Sequence, residues 1–313
     1  MKPEGVIQPN SKLNASSRPK RRSLNKHPIK RLLLPSIIYL AVITQVPFII
    51  TIYYSFHEWN LMRPDQGTKF AGFSNFRKVL LDPSFYQVLK NTILLTLSVL
   101  IICFICGLLL ALLMNRNFFG KGIIRTMLVS PFFIMPTVSA IIWKTMVFNP
   151  NFGFSAYFAD AFGGKAVDWL SHHPLMAIIL IVSWMWIPFF MLILLAGLQS
   201  LPSELIEAAQ LDGANKLKQF LHVTIPHLVR YIEVVILLGL MFILQVFGEI
   251  YVTTSGGPGF ASTNLSFLVY RVGFQGWNVG EATAIGVITV ILTIIMMTLM
   301  IKVLRRTFKG ELS

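Results

Sequence analysis

Apolar residues in this chain come in six runs of about 20 residues or more, at roughly 32–55, 91–114, 123–148, 175–199, 231–253 and 283–304. At about 1.5 Å per helical residue, each run reaches across a hydrocarbon layer of about 30 Å. No water satisfies a backbone amide inside such a layer, so each run is predicted to be a helix. The expected class is an all-α membrane protein with six transmembrane helices. Pro47, Pro131, Pro136 and Pro188 fall inside these runs. Each removes a helical hydrogen bond and favours a kink, which suits a bundle that encloses a cavity.

Charge orients the helices. The 313 residues include 27 Lys+Arg against 13 Asp+Glu, a net charge of +14. Only 13% of residues are charged, about half the share in a soluble domain. The basic residues do not form a folded polar face. They gather in the N-terminal tail and beside the ends of the runs, where they meet anionic lipid, and this placement argues against nucleic acid. Residues 1–31 carry Lys12, Arg18, Lys20, Arg21, Arg22, Lys26, Lys30 and Arg31 among Pro, Ser and Asn. Such a segment buries too little apolar surface to fold alone and is expected to be a disordered cytoplasmic tail. The run after it is too long for a signal-peptide core and lacks a small-x-small cleavage site, so it is expected to remain in the membrane.

Residues 32–90 then supply the first helix and an outer loop, and residues 91–308 a core of five helices. With both termini inside, the cytoplasm receives Arg116 with Lys121, Lys216 with Lys218 and Arg230, and Lys302 with Arg305, Arg306 and Lys309. Two outer loops receive Lys165 and Arg271. The first outer loop runs against this trend: it carries Arg63, Lys69, Arg77, Lys78 and Lys90, partly offset by Glu58, Asp65 and Asp82. Cys103 and Cys106 form C-x-x-C inside an apolar run with no His or carboxylate nearby in sequence. They read as small side chains on a helix face, not as a metal or redox pair.

The polar segment at about 200–230 is long for a helix connection. Ser203 after Pro202 is predicted to cap a helix, with Glu204 and Glu207 in its first turns, where the dipole favours negative charge. Leu205, Ala208 and Ala209 share a face whose small residues let a partner approach closely. Gly213 can adopt the left-handed conformation that ends the helix. A second short helix is expected at about 215–222, gathering Leu217, Phe220 and Leu221, and Pro226 starts the next rise to the membrane. Two short helices at an angle suit a cleft on a partner, with Glu207 placed to meet a partner Arg or Lys.

The series Glu207-Ala208-Ala209, Asp212-Gly213 and Val223-Thr224-Ile225-Pro226 resembles the coupling loop of membrane subunits of type I ABC importers. The resemblance covers about residues 30–308. It extends to Ser130-Pro131-Phe132-Phe133-Ile134-Met135-Pro136, Ile142-Trp143-Lys144 and Thr254-Ser255-Gly256-Gly257-Pro258-Gly259, and is nearest the carbohydrate permeases. Phe118-Phe119-Gly120-Lys121-Gly122, Phe220 to Leu228 and Gly256 to Leu265 narrow it towards sugar-alcohol permeases for sorbitol or mannitol. Residues 270–284 depart from that narrower pattern.

The resemblance implies a permease subunit in a bacterial inner membrane. Its expected partners are a second similar permease, an ATP-binding subunit dimer and an extracytoplasmic solute-binding protein. Glu207, Ala208, Ala209, Asp212, Gly213, Phe220 and Pro226 would couple to the ATPase, and Gly256, Gly257, Pro258 and Gly259 would dock the binding protein. No cofactor is expected on this chain. No G-x-x-x-x-G-K-[ST] phosphate loop occurs, so ATP and Mg belong to the partner and the chain is not expected to be an enzyme.

A carbohydrate needs hydrogen-bonding groups and aromatic faces in a wet cavity. Ser183, Trp184, Trp186 and Phe189 cluster around Pro188 in the fourth run, and Gln245, Glu249 and Tyr251 lie in the fifth. The competing readings are interhelical packing for Gln245, an interface belt for the tryptophans and a structural Glu249–Lys144 pair. Two alternatives stand beside the polyol: the same importer class carrying a mono- or oligosaccharide, and an ion-coupled secondary transporter. The latter predicts internal repeats and midplane ionisable groups, and neither is evident. An intramembrane enzyme would need a ligand cluster in the spans, and H-E-x-x-H is absent.

Overall fold

The computed structural model describes residues 26–308. The N-terminal tail expected at 1–31 falls mostly outside them. The chain divides into two units, residues 1–48 and 49–313. The described part of the first unit is the larger portion of helix α1 (Lys26–Ser55), which contains Pro35 and Pro47.

The second unit follows from the end of α1. A short hairpin of β1 (His57–Glu58) and β2 (Lys69–Phe70) leads to α2 (Ser74–Leu81) and α3 (Pro83–Met114). Next come α4 (Lys121–Val129), α5 (Pro136–Ile142), α6 (Phe154–Ala161), α7 (Trp169–His172) and α8 (Pro174–Gln199). The remainder is α9 (Ser203–Leu211), α10 (Lys216–Gln219), α11 (Ile225–Ile243), α12 (Gly248–Thr253), α13 (Leu265–Tyr270) and α14 (Val279–Phe308).

Five of these helical stretches are long and apolar enough to cross a membrane, and a bent pair brings the number to six. The all-α architecture is as the apolar runs predict. The third run departs from expectation. It is not one kinked helix but two, Lys121–Phe133 and Pro136–Val147, bent by 104°. Ile134 and Met135 between them are extended, with ψ of 133° and 140°. Pro136 imposes this, because its ring drives the preceding residue out of the helical region, and Pro131 and Pro136 both lack the N–H a continuous helix needs.

The fifth run is interrupted too. α11 stops at Ile243, and a turn at 244–247 precedes α12. The interruption frees buried carbonyls, which a later segment satisfies. Asn264 Nδ2 donates to the Val246 oxygen at 2.6 Å, and Ser266 Oγ to the Leu244 oxygen at 3.0 Å. Asn264 Oδ1 accepts from Phe267 N at 2.8 Å and so caps α13 as well. That segment is tied in turn to α3: Leu265 N donates to Thr92 Oγ1 at 3.0 Å, and Asn91 Nδ2 to the Phe260 oxygen at 2.7 Å. Irregular backbone persists here because the Leu244 and Val246 carbonyls it frees find protein partners.

The core lies between α3, α8 and α11. Leu95, Val99 and Cys103 meet Phe190, Met191 and Leu194, with Leu228, Val235 and Leu240 closing the third side. Lipid is as apolar as leucine, so close packing rather than water exclusion holds such helices together. Gly107 permits that closeness: a Cβ there would lie 2.7 Å from Phe190 Cβ and 3.1 Å from the Met191 backbone nitrogen. Cys103 is buried and its Sγ donates to the Ser183 carbonyl oxygen at 3.6 Å, so it packs as a small side chain.

Candidate functional site

The two interrupted stretches face one cavity of about 310 Å³. Phe132, Ile134 and Pro136 come from the bend before α5, and Met185 and Trp186 from α8. The turn after α11 and the start of α12 supply Gln245, Val246, Phe247, Gly248 and Glu249, with Phe242 just before them. Trp186 stacks on Phe242 at 5.1 Å between centroids and meets Phe132 edge-on at 5.8 Å. Gln245 is exposed and donates to the Met241 oxygen at 3.1 Å. Glu249 is 3% exposed. Among the described residues the one ion pair is Lys78–Glu58, so the Glu249–Lys144 pair considered from sequence is not formed. Lys144 Nζ instead donates to the Val252 oxygen at 3.0 Å, because α12 turns its carbonyl end towards that side chain.

Of the seven solute-path residues read from sequence, three line this cavity: Trp186, Gln245 and Glu249. Ser183 is buried, and its Oγ has no hydrogen-bond partner among the described residues. Trp184 packs edge-on against Trp143 at 5.8 Å in a separate cluster. Phe189 stacks behind the wall on Phe132 at 5.7 Å. Tyr251 stacks on Phe247 at 5.7 Å and meets Tyr270 edge-on. Sequence reasoning missed Phe132, Ile134, Pro136, Met185, Phe242, Val246, Phe247 and Gly248. The signal for the first three was Pro131 and Pro136 close together in one apolar run. The cavity offers aromatic faces, an amide and a carboxylate on an apolar wall, and no cationic side chain is among its lining residues. That set suits a solute that donates hydrogen bonds and carries no negative charge.

The second functional element is the helix pair beyond α8. α9 begins after Pro202, which occupies the cap position with no side-chain hydrogen bond, so Ser203 is the first helical residue and not the cap. Proline before the helix leaves the hydroxyl one position too late. Gly213 has φ of +76°. Ala214 N donates to the Ala209 oxygen at 2.9 Å and Gly213 N to the Gln210 oxygen at 3.0 Å, the paired bonds that close a helix on a left-handed residue. Asn215 then caps α10 by accepting from Lys218 N at 2.9 Å, and Gln219 Nε2 donates to the Ala214 oxygen at 2.7 Å.

Hydrogen bonds thus close the elbow on both sides of Gly213. The elbow presents Glu207, Ala208 and Asp212 to solvent with Ala209 half-buried, and Leu211 is 90% exposed. The second helix is not the separate piece expected at 215–222. It continues into α11 through a π-helical turn, Phe220–Thr224, giving one stretch from Lys216 to Ile243. Pro226, at the start of α11, has no N–H to give, and the widened turn just before it absorbs the missing bond. Ser200 Oγ lies 2.9 Å from His227 Nε2 and 2.8 Å from Tyr231 Oη, pinning the end of α8 to α11.

The Gly256–Gly259 turn is also pinned. Thr263 Oγ1 donates to the Gly256 oxygen at 2.9 Å, Ser262 Oγ to the Gly257 oxygen at 3.1 Å, and Arg271 Nη1 to the Gly259 oxygen at 2.9 Å. The Gly257–Pro258 bond is cis, and Pro258 and Gly259 are exposed.

Residues 103–310 match the family of binding-protein-dependent transport system inner membrane components. The chain is 34% identical over 273 residues to the "Probable ABC transporter permease protein y4oQ" of Sinorhizobium fredii, covering 87% of this chain and 88% of that one. It is 31% identical over 268 residues to the trehalose/maltose transport system permease protein of Thermococcus litoralis, covering 84% and 88%. Among solved structures it resembles a chain of the bacterial alginate ABC transporter in complex with an alginate pentasaccharide-bound periplasmic protein, with a TM-score of 0.75 and 25% identity over 90% of this chain and 95% of that one.

Proposed function

Because the chain belongs to the family of binding-protein-dependent transport system inner membrane components, we propose that it forms one half of the solute path of an ATP-driven importer for a neutral, hydroxylated carbohydrate. The observation that carries this reading is the cavity where both interrupted stretches meet α8, with Trp186, Gln245 and Glu249 on its wall. Aromatic faces pack on the C–H faces of a sugar, and the amide and carboxylate accept its hydroxyl protons. The chain itself is a permease and not an enzyme, and hydrolysis of ATP falls to a partner ATPase.

In this reading a second permease closes the path, an ATPase dimer takes the exposed α9–α10 elbow into a cleft, and a solute-binding protein delivers the solute at the Gly256–Gly259 turn. The elbow transmits ATPase closure because α10 continues into α11, which leads without interruption to the cavity. Glu207 meets a partner cation, and Ala208 and Ala209 allow the close approach. Both termini lie in the cytoplasm.

The solute we favour from the chain's own motifs is a sugar alcohol such as sorbitol or mannitol. A mono- or oligosaccharide is the second reading, supported by the trehalose/maltose permease among the relatives. The test is uptake of labelled sorbitol and labelled trehalose by cells lacking this chain, complemented with wild type, Glu249→Gln or Glu207→Lys. Sorbitol uptake restored by wild type alone supports the polyol, and restoration of trehalose uptake in its place supports the disaccharide. If neither of these, nor labelled glucose or a longer oligosaccharide, depends on the chain, the carbohydrate reading fails.

A further inference from the structure

The five basic residues of the first outer loop run against the charge bias of the other loops, and the solute path does not use them. The fold gathers three of them. β1 pairs with β2 so that Glu58 faces Lys69, and Lys78 Nζ on α2 lies 3.3 Å from Glu58 Oε1. Glu58, Arg63, Gln66, Lys69, Lys78 and Asn278 line a small polar pocket of about 80 Å³. The lining itself holds three cations and one carboxylate; Glu281, which accepts from Asn278 Nδ2 at 2.8 Å and interacts with Lys78 and Asp82, stands next to it on the α14 side. Arg63 and Lys69 are exposed, and neither is in an ion pair.

The pocket is held where spans end. Asn75 of α2 is buried and donates to the Ser55 and His57 oxygens at 3.0 and 2.9 Å, fastening α2 to the last turn of α1. Leu61 N donates to the Trp277 oxygen and Gly280 N to the Trp59 oxygen, stitching the hairpin to the start of α14. Large apolar side chains stand exposed in the same loop, two of them next in sequence to Arg63 and Lys69: Met62 at 70%, Phe70 at 76% and Phe73 at 74%. The Phe73 ring lies 5.3 Å from that of Phe56, the residue that follows α1. Aromatic side chains next to basic ones at a span end are the composition of a membrane interface.

We propose that this pocket binds the headgroup of an anionic phospholipid in the leaflet at this end of the bundle. Arg63 and Lys69 hold the phosphodiester, Lys78 is shared between it and Glu58, and Met62, Phe70 and Phe73 sit at the acyl boundary. The lipid thereby braces the hairpin and α2 against the ends of α1 and α14. Charge complementarity selects an anionic lipid over a zwitterionic one, and the flanking apolar residues select a lipid over a free oxyanion.

The test uses the full-length chain purified in neutral detergent, with lipid binding read by native mass spectrometry. Phosphatidylglycerol should bind more tightly than phosphatidylcholine, and its affinity should fall as salt rises. Each basic residue near an anionic headgroup contributes about fivefold in affinity, so R63Q/K69Q should weaken phosphatidylglycerol by about 25-fold and leave phosphatidylcholine unchanged. F70S/F73S, which keeps the charges, should weaken both lipids. Unchanged phosphatidylglycerol binding by R63Q/K69Q overturns the proposal. So does displacement of the lipid by millimolar inorganic phosphate, which would make this a free-anion site.

Discussion

Asn264→Ala is the sharpest test of how the cavity is built. Asn264 is 1% exposed and makes two hydrogen bonds in opposite directions, giving Nδ2–H to the Val246 oxygen and taking Phe267 N–H on Oδ1. Alanine leaves one buried acceptor and one buried donor without partners. Each such group costs about 1–3 kcal/mol, so the substitution should destabilise by about 2–6 kcal/mol. The value should fall towards the lower end, because polar groups of a chain unfolded within a membrane also find partners. Ser266→Ala removes a single bond to the Leu244 oxygen and should be milder, at about 1–3 kcal/mol. Val246 lines the cavity, so Asn264→Ala should also weaken solute retention. Thermal unfolding of the purified chain in detergent, followed by tryptophan fluorescence, ranks the three proteins. A midpoint for Asn264→Ala equal to that of wild type would refute the claim that this side chain sustains the interruption of α11.

Gly107→Leu forces a side chain against the Phe190 Cβ and the Met191 backbone, and overpacking of this kind should cost about 1–3 kcal/mol or more, read as a lowered unfolding midpoint. Gly213→Val places a β-branched residue at φ of +76°; the strain of about 1–2 kcal/mol should loosen the elbow, lower solute-stimulated ATPase activity of the assembled importer, and lower the unfolding midpoint less than Asn264→Ala does. Trp186→Ala removes the stacked face opposite Phe242 and should raise the transport KM about tenfold, measured by uptake against solute concentration. Asp168 caps α7, and the Ser171 hydroxyl holds its carboxyl below the usual carboxylate range. Its contribution is therefore present above the ordinary carboxylate value and lost as pH falls through the lowered one, so hydrogen exchange in α7 should accelerate only at strongly acidic pH and not in Asp168→Asn.

Much of the architecture was legible from short stretches of sequence. The runs around 91–114 and 175–199 are apolar on every face, and a lipid-spanning helix needs nothing more to be recognised, since hydrocarbon leaves the backbone no other way to satisfy itself. The left-handed end of α9 was legible in Gly213, because few other residues adopt that conformation without strain. Prolines at 131 and 136 announced a disturbance but not its size: a missing N–H is local, whereas a 104° bend depends on what the two arms pack against.

The cavity itself belonged to tertiary structure. Aromatic and polar residues on α8 are equally good as packing or as lining until the neighbouring segments are in place, and that is why Trp186 faces the cavity while Phe189 packs behind its wall and Trp184 packs against Trp143. The interruption at 244–247 carries no proline to announce it. It persists because Asn264 and Ser266, some 20 residues further along, return to satisfy its carbonyls. Sequence alone thus determined which stretches must be helical and where the polar elbow protrudes. Only the folded chain decided where helices may break, because a break inside a membrane is tolerated where a distant residue replaces the lost hydrogen bond, as at 244–247, or where the broken backbone lines a cavity, as at Ile134.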